Sequence, residues 1–256
     1  MRTGRRMRPN PSSPRLVRSR SGERSELWTE TVGAPPPVYG ERWTEAEGRT
    51  YRLFEPGRSK LSAAVHHDWS GPLPAPGERW LYLGAASGTT ASHVADLVGP
   101  AGRIYALERS PRPFARLLAL SERWPNLLPL LADAREVRSY AGLVPPVDGI
   151  YADVAQPDQL EIVRASAELY LRGPGAQVLV ALKTASMGRE RPPAEHLARS
   201  ETAFEPFFDL APSVKLDPFH RAHYLLGGRA EPALFDGRGP PDVTPRPARP
   251  RGRSRR

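Results

Sequence analysis

The sequence contains no cysteine. Disulfides and thiolate metal sites are therefore excluded. Histidine is scarce as well, with six residues and no metal-ligand spacing among them. The adjacent pair His66-His67 points in two directions on any regular element and makes a poor zinc clamp, so no metal is expected. Long apolar runs are missing too. Nothing is long enough to cross a bilayer, and no signal-peptide apolar stretch stands at the start. The expectation is a soluble intracellular protein without a membrane partner. Lysine is the last scarcity. Of 37 basic residues only Lys60, Lys183 and Lys215 are lysines. Arginine cannot lose its proton in a protein and presents a wide planar fork, whereas lysine is a compact charge with a tunable pKa. A lysine that survives in so arginine-biased a chain marks a place where arginine will not serve, unless it survives by chance.

What is present is 256 residues, enough for one sizeable core and a small accessory region. The net charge of +9 is unevenly distributed: residues 1–24 carry +7, residues 229–256 carry +5, and residues 25–228 sum to −3. The two basic segments are rich in Arg, Pro, Gly and Ser and poor in apolar residues. They read as disordered tails, serving either as arms for a phosphate backbone or as solvated, solubilising extensions. The first also has the Arg- and Ser-rich look of an organelle transit peptide.

Residues 25–77 hold short aromatic and apolar pieces separated by Pro and Gly. They read as a small β-rich domain with a linker over 71–77, and Ser59 as the cap of a short helix, 59–65. From residue 78 to 228 the pattern alternates. Strands are expected at 80–83, 104–107, 127–131, 149–152, 177–182, 214–216 and 224–226, the last two antiparallel neighbours. Helices are expected at 90–98, 111–124, 157–171 and 190–207. Such alternation implies an α/β fold with a parallel sheet covered on both faces.

In that architecture ligands bind at the carboxyl ends of the strands, near the point where strand order reverses. After the first strand comes Gly84-Ala85-Ala86-Ser87-Gly88-Thr89-Thr90, whose small residues admit a close ligand and whose helix start offers N–H groups. Ala86 and Thr89 occupy the second and third glycine positions of a dinucleotide turn, which disfavours NAD. Glu108 follows the second strand, 24 residues after Gly84, where a carboxylate can hold a ribose diol. Asp133 follows the third strand, placed for an adenine amine. Asp153 follows the fourth and Lys183 the fifth. Singly, each has a plainer reading: a strand-end acid for Glu108, a turn cap for Asp133, a helix cap for Asp153. Jointly they put a polar side chain after all five parallel strands. A glycine turn with two carboxylates and no pyrophosphate fingerprint favours S-adenosylmethionine as the adenosyl ligand.

The chain resembles fibrillarin and the archaeal fibrillarin-like rRNA and tRNA 2′-O-methyltransferases from about Tyr51 to Gly228. The resemblance is carried by FEPGRSKL at 54–61, LYLGAASGTTASHVADLVGPAG from Leu81, Asp133-Ala134-Arg135, YADVAQPDQ from Tyr151, the Lys183 strand and LDPFHRAH at 216–223. It implies a Rossmann-like class I S-adenosylmethionine methyltransferase domain over 78–228 with a small N-terminal β-rich domain. It implies cofactor contacts at Gly84, Ala85, Thr89, Thr90, Glu108, Arg109, Asp133, Ala134, Asp153, Val154, Ala155 and Gln156. It further implies a catalytic tetrad of Lys60, Asp153, Lys183 and His223, so two of the three lysines fall on tetrad positions. The partners implied are box C/D guide RNA, a substrate RNA (pre-rRNA, and tRNA in some relatives), a Nop-domain scaffold protein and a kink-turn-binding ribosomal-type protein. The implied location is the cytoplasm of an archaeal-type cell, or the nucleolus of a eukaryote. Three positions depart from the family: Arg109 stands where an aromatic residue is usual, Glu136 where His is common, and Ala222 replaces an acid beside His223. Two other functions fit the same residues: a stand-alone methyltransferase using the Arg-rich tails as RNA arms, and a non-catalytic assembly subunit. Eukaryotic fibrillarin also methylates a protein glutamine, an activity the sequence does not address.

Overall fold

The computed structural model describes residues 7–21, 24–188 and 190–236. Five short strands come first: β1 (Met7–Asn10), β2 (Ser13–Ser21), β3 (Arg24–Glu30), β4 (Trp43–Ala46) and β5 (Arg49–Leu53). They form an antiparallel sheet in the order β1-β2-β3-β5-β4. This corrects the reading of residues 1–24 as a disordered tail, since 7–21 are strand and turn. Two of the arginines there, Arg15 and Arg18, are structural. Leu16 and Val17 are buried. Arg15 donates to the Asp96 carbonyl at 2.6 Å and pairs with Glu30 at 3.0 Å, while Arg18 reaches the Val65 carbonyl at 3.2 Å. A long side chain ending on an acceptor of the next layer covers apolar surface with its stem. The remainder of that segment, 1–6 and 22–23, lies outside the described residues.

The second sheet carries five parallel strands: β6 (Arg79–Leu83), β7 (Arg103–Glu108), β8 (Leu127–Leu131), β9 (Gly149–Ala152) and β10 (Gln177–Lys183). Three antiparallel ones follow, β11 (Phe208–Leu210), β12 (Val214–Lys215) and β13 (His223–Ala230). The order is β11-β13-β10-β9-β6-β7-β8, with β12 paired to β13. Alternation along each strand makes two cores. Trp80, Tyr82, Tyr151, Leu179, Ala181 and Leu225 face α1 (Lys60–His66), α2 (Thr89–Val98) and α3 (Pro111–Ser121). Leu81, Leu83, Ile150, Val178, Val180 and Leu226 face α4 (Gln159–Tyr170) and α5 (Pro193–Phe204). Strand order reverses at β6, between β7 on one side and β9 on the other, so the ligand crevice opens there.

Several boundaries moved, two of them for clear physical reasons. The last helix begins at Pro193, because Pro192 is extended and two successive prolines cannot both lie inside a helix. The C-terminal tail was expected from 229, yet β13 continues to Ala230, which pairs with Phe208, and Leu234 is buried in a short turn. Residues 237–256 lie outside the described residues. No described helix is long and apolar enough to cross a membrane.

Candidate active site

The turn from Gly84 to Gly88 is built on left-handed backbone. Gly84, Ala86 and Gly88 have φ of 81°, 49° and 90°. A Cβ at Gly84 would lie 2.6 Å from the Asp153 carbonyl oxygen, so only glycine lets β6 and β9 end this close together. Ala86, which lacks that freedom, is held by Glu108, whose carboxylate accepts from the Ala86 N–H at 3.0 Å and the Ser110 N–H at 2.6 Å. The N–H groups of Gly84 and Ala85 both donate to Leu107 O. α2 then begins at Thr89 without a side-chain cap, leaving a helix N-terminus aimed into the crevice. The loop after β9 lies alongside: Val154 touches the position a Gly84 side chain would fill, Ala155 is exposed and Gln156 half-buried. Small residues, an open helix N-terminus and Glu108 on the neighbouring strand fit an adenosyl cofactor.

At the far end of this crevice a cavity of about 730 Å³ is lined by Arg109, Ser110, Leu131, Ala132, Asp133 and Leu143. Here the structure adds something the sequence reading lacked. Asp133 is gripped by Arg135, at 2.6 Å to one carboxylate oxygen and 3.1 Å to the other, and Arg109 stands 3.5 Å away. The Arg135 hydrogen bond holds the Asp133 carboxyl down at about 2. A carboxylate has roughly four acceptor positions, so an incoming amine must share Asp133 with guanidinium groups. Ala134 is buried, and the Tyr140 hydroxyl donates to its carbonyl at 3.3 Å. Tyr140 stacks on Tyr170 with ring centroids 5.2 Å apart, fixing the loop that carries Asp133.

Of the four expected catalytic residues, Lys60 and Asp153 touch, and Lys183 and His223 stand opposite each other on neighbouring strands. Lys60 is the first residue of α1, and Ser59 caps that helix as expected. Both Asp153 oxygens bind the Lys60 ammonium, at 2.8 and 2.7 Å. A cation is disfavoured at a helix N-terminus, so the Asp153 counter-charge is what keeps Lys60 there. Lys183 ends β10 directly opposite His223, which opens β13. By alternation both side chains follow Leu179, Ala181 and Leu225 onto the α1 face, and Asp153 follows Tyr151 onto the same face. His223 Nδ1 lies 2.8 Å from the Arg221 carbonyl. A carbonyl only accepts, so Nδ1 carries the proton and Nε2 of the neutral ring is the free acceptor. Burial chiefly lowers the His223 pKa; the Lys60 charge lowers it further and Asp153 opposes. Among the described residues Lys183 has no ion-pair partner, in contrast to Lys60. No group of His, Asp and Glu there could hold a metal ion.

Sequence reasoning missed the links beneath these residues. Thr90 donates to Ser59 Oγ at 3.1 Å, tying the cofactor helix to the cap of the Lys60 helix. Tyr82 and Tyr151 pair across β6 and β9 with ring centroids 4.7 Å apart, forming a floor under Asp153, and burial pushes both phenols well up. They stay neutral and do not compete for a proton.

A family model described as Fibrillarin matches residues 16–232. A fibrillarin-like rRNA/tRNA 2′-O-methyltransferase of Pyrococcus horikoshii is 40% identical over 189 residues, 74% of this chain and 83% of that one. Two solved structures share the fold closely. One is Aeropyrum pernix fibrillarin with natively bound S-adenosyl-L-methionine, at a TM-score of 0.78 and 37% identity, covering 87% of this chain and 97% of that one. The other is a fibrillarin/Nop5p complex, at a TM-score of 0.73 and 38% identity, covering 80% and 94%.

Proposed function

The chain belongs to the fibrillarin family, and from that premise we infer how its residues perform the family's reaction. It is an S-adenosylmethionine-dependent 2′-O-methyltransferase of rRNA and tRNA that works in a complex with a Nop5p-type protein. Glu108 and Asp133 would hold the two ends of the adenosine, with Gly84, Ala85, Thr89, Thr90, Ala134 and Asp153–Gln156 around it. When bound, the cofactor supplies a methyl group already activated by a sulfonium.

What remains for the protein is to present a ribose hydroxyl and remove its proton. The contrast between the two lysines carries the assignment. Lys60 is fixed as a cation by Asp153, and so acts as a positive charge beside the developing alkoxide. Lys183, without a carboxylate partner among the described residues, is the proton acceptor. The hydroxyl O–H bond breaks and an N–H bond forms at the lone pair of a Lys183 amine that enters the step unprotonated, while Asp153 keeps Lys60 aligned. His223, through its free Nε2, orients the ribose. The Lys60–Asp153 ion pair supports separate roles for the two lysines over a reading in which both act only as charges. Lys183→Arg keeps the charge but cannot take up a proton. Its kcat in the assembled complex should fall about 10²–10³-fold, within the range of general-base catalysis, with cofactor affinity by calorimetry unchanged. Wild-type-like turnover would sink the base role in favour of pure charge stabilisation.

Target choice is proposed to come from a box C/D guide RNA held by the scaffold and a kink-turn-binding protein, in archaeal cytoplasm or a eukaryotic nucleolus. Residues 7–236 carry no net charge, short of the basic balance expected of a stand-alone RNA enzyme. Purified chain with ribosomal RNA fragments should therefore show methylation only when partners and guide are added. Efficient guide-free methylation would instead favour the stand-alone reading.

A further inference from the structure

The segment that ends in His223 touches the Lys60 helix at both ends. Phe219 packs against His66 and His67 where α1 finishes, with ring centroids 5.9 and 5.6 Å apart. The next residue, His220, has Nε2 at 2.8 Å from the Pro56 carbonyl, in the turn that leads into α1. Three residues later His223 stands opposite Lys183. One short segment therefore fixes the helix presenting Lys60 and delivers His223.

We propose that His220 is a positioning residue for methyl transfer, which locks the start of the Lys60 helix to the His223 segment by donating its Nε2 proton to Pro56 O. The direction follows from chemistry, since a carbonyl can only accept. His220 is half-buried, its ring centroid 6.1 Å from that of His223, and the charged groups that act on it are Lys60 and Asp153. Burial is the main cause lowering its pKa, so the neutral ring with a proton on Nε2 is the form in place at neutral pH. Protonation would keep this donor, so the lock itself does not depend on the ring's charge. Without the bond, Pro56–Ser59 is released from the closing segment and Lys60 loses its register with Lys183 and His223.

The kinetic arm of the test rests on the reaction assigned above; a second arm does not. Chains labelled with ¹³C-lysine give signals from only three lysines, which makes Lys60 readable alone. H220L removes the donor. H220Q restores one, because the glutamine amide nitrogen reaches about as far as Nε2. In H220L, kcat of the assembled complex should fall roughly 10- to 100-fold, the effect of small misplacements at an active site, with cofactor KM little changed. The Lys60 signal should move while that of Lys215 stays. H220Q should recover most of the rate and the Lys60 signal. An unchanged kcat in H220L, an unmoved Lys60 signal, or an H220Q no better than H220L would overturn the proposal. Should H220L not fold, H220N, whose amide stops short of Pro56 O, takes its place. An inactive wild-type complex would count against the assigned reaction, while the lysine spectra would still decide the lock.

Discussion

Asp153→Asn will cut single-turnover methyl transfer in the assembled complex by about 10³-fold, the order seen when an electrostatic or proton-transfer group is removed. Both Asp153 oxygens bind Lys60 at 2.7–2.8 Å. Asparagine offers one acceptor, and its NH₂ group turns a donor toward an ammonium. Lys60 stands at the start of α1, where the helix dipole already repels a cation. Deprived of its counter-charge, Lys60 swings toward solvent and leaves Lys183 without a neighbouring fixed charge. The buried Tyr82–Tyr151 floor cannot substitute, because both phenols remain neutral. The main chain at 153–156 is unaffected by the change, so cofactor affinity should weaken less than about tenfold, around 1.4 kcal/mol. Lys60→Met combined with Asp153→Asn should lose far less than the product of the single effects, because the two act as one unit. A single Asp153→Asn variant with more than a tenth of wild-type rate would show that the ion pair is structural.

The path from sequence to site was uneven for physical reasons. The parallel core was legible because its strands are short apolar runs and all but β8 lead into a helical period, and Ser59 announces its helix as a cap. The tetrad was half-legible through composition, since an arginine-biased chain retains Lys60 and Lys183, but their pairing with Asp153 and His223 depends on strand order, which no local pattern encodes. β1 and β2 were missed because average composition hides alternation: Leu16 and Val17 are buried between arginines that end on acceptors of the next layer. β11, with three residues, is shorter than any period can reveal. The grip of Arg135 and Arg109 on Asp133 depends on side-chain geometry alone. One signal was available and unread: Asp96 interrupts a helix face in which Ala95, Leu97 and Val98 are all buried, and Arg52 lies between buried Tyr51 and Leu53. Charges inside apolar runs are costly unless paired.

That pair is where the largest loss of stability is expected. Arg52 is fully buried and donates to Glu41 at 2.8 Å, to Asp96 at 2.9 Å and to Ser92 at 3.2 Å, with its guanidinium 4.6 Å from the Trp124 ring. Asp96 also accepts from Thr29, Thr31, the Val32 N–H and Trp124. Residues from the N-terminal sheet, its connecting loop and α2 thus converge on one ion cluster. Arg52→Met preserves much of the volume but leaves two buried carboxylates without their cation, which costs about 3–5 kcal/mol and lowers Tm by roughly 6–20 °C for a domain of this size. The pH dependence has a definite sign. Burial is the chief cause raising the Asp96 pKa, and Arg52 is the first of the groups that oppose it. At Glu41 burial again raises, but backbone hydrogen bonds and Arg52 bring the net shift below the ordinary value. Removing Arg52 raises both folded-state values relative to wild type, so the variant's folded state binds more protons than the wild type's and the stability lost relative to wild type grows as pH rises through the carboxylate range. The Tm deficit should therefore be largest at pH 7 and shrink toward pH 5. It should also reach the cofactor site, because Ser92 donates to the Thr89 carbonyl at 3.0 Å and its own hold on Arg52 is lost, so cofactor affinity falls below the melting range as well. Thermal scans at the two pH values decide the matter: a Tm matching wild type at pH 7, or a deficit that grows toward acid, would mean that the cluster does not hold the N-terminal sheet to the cofactor helix.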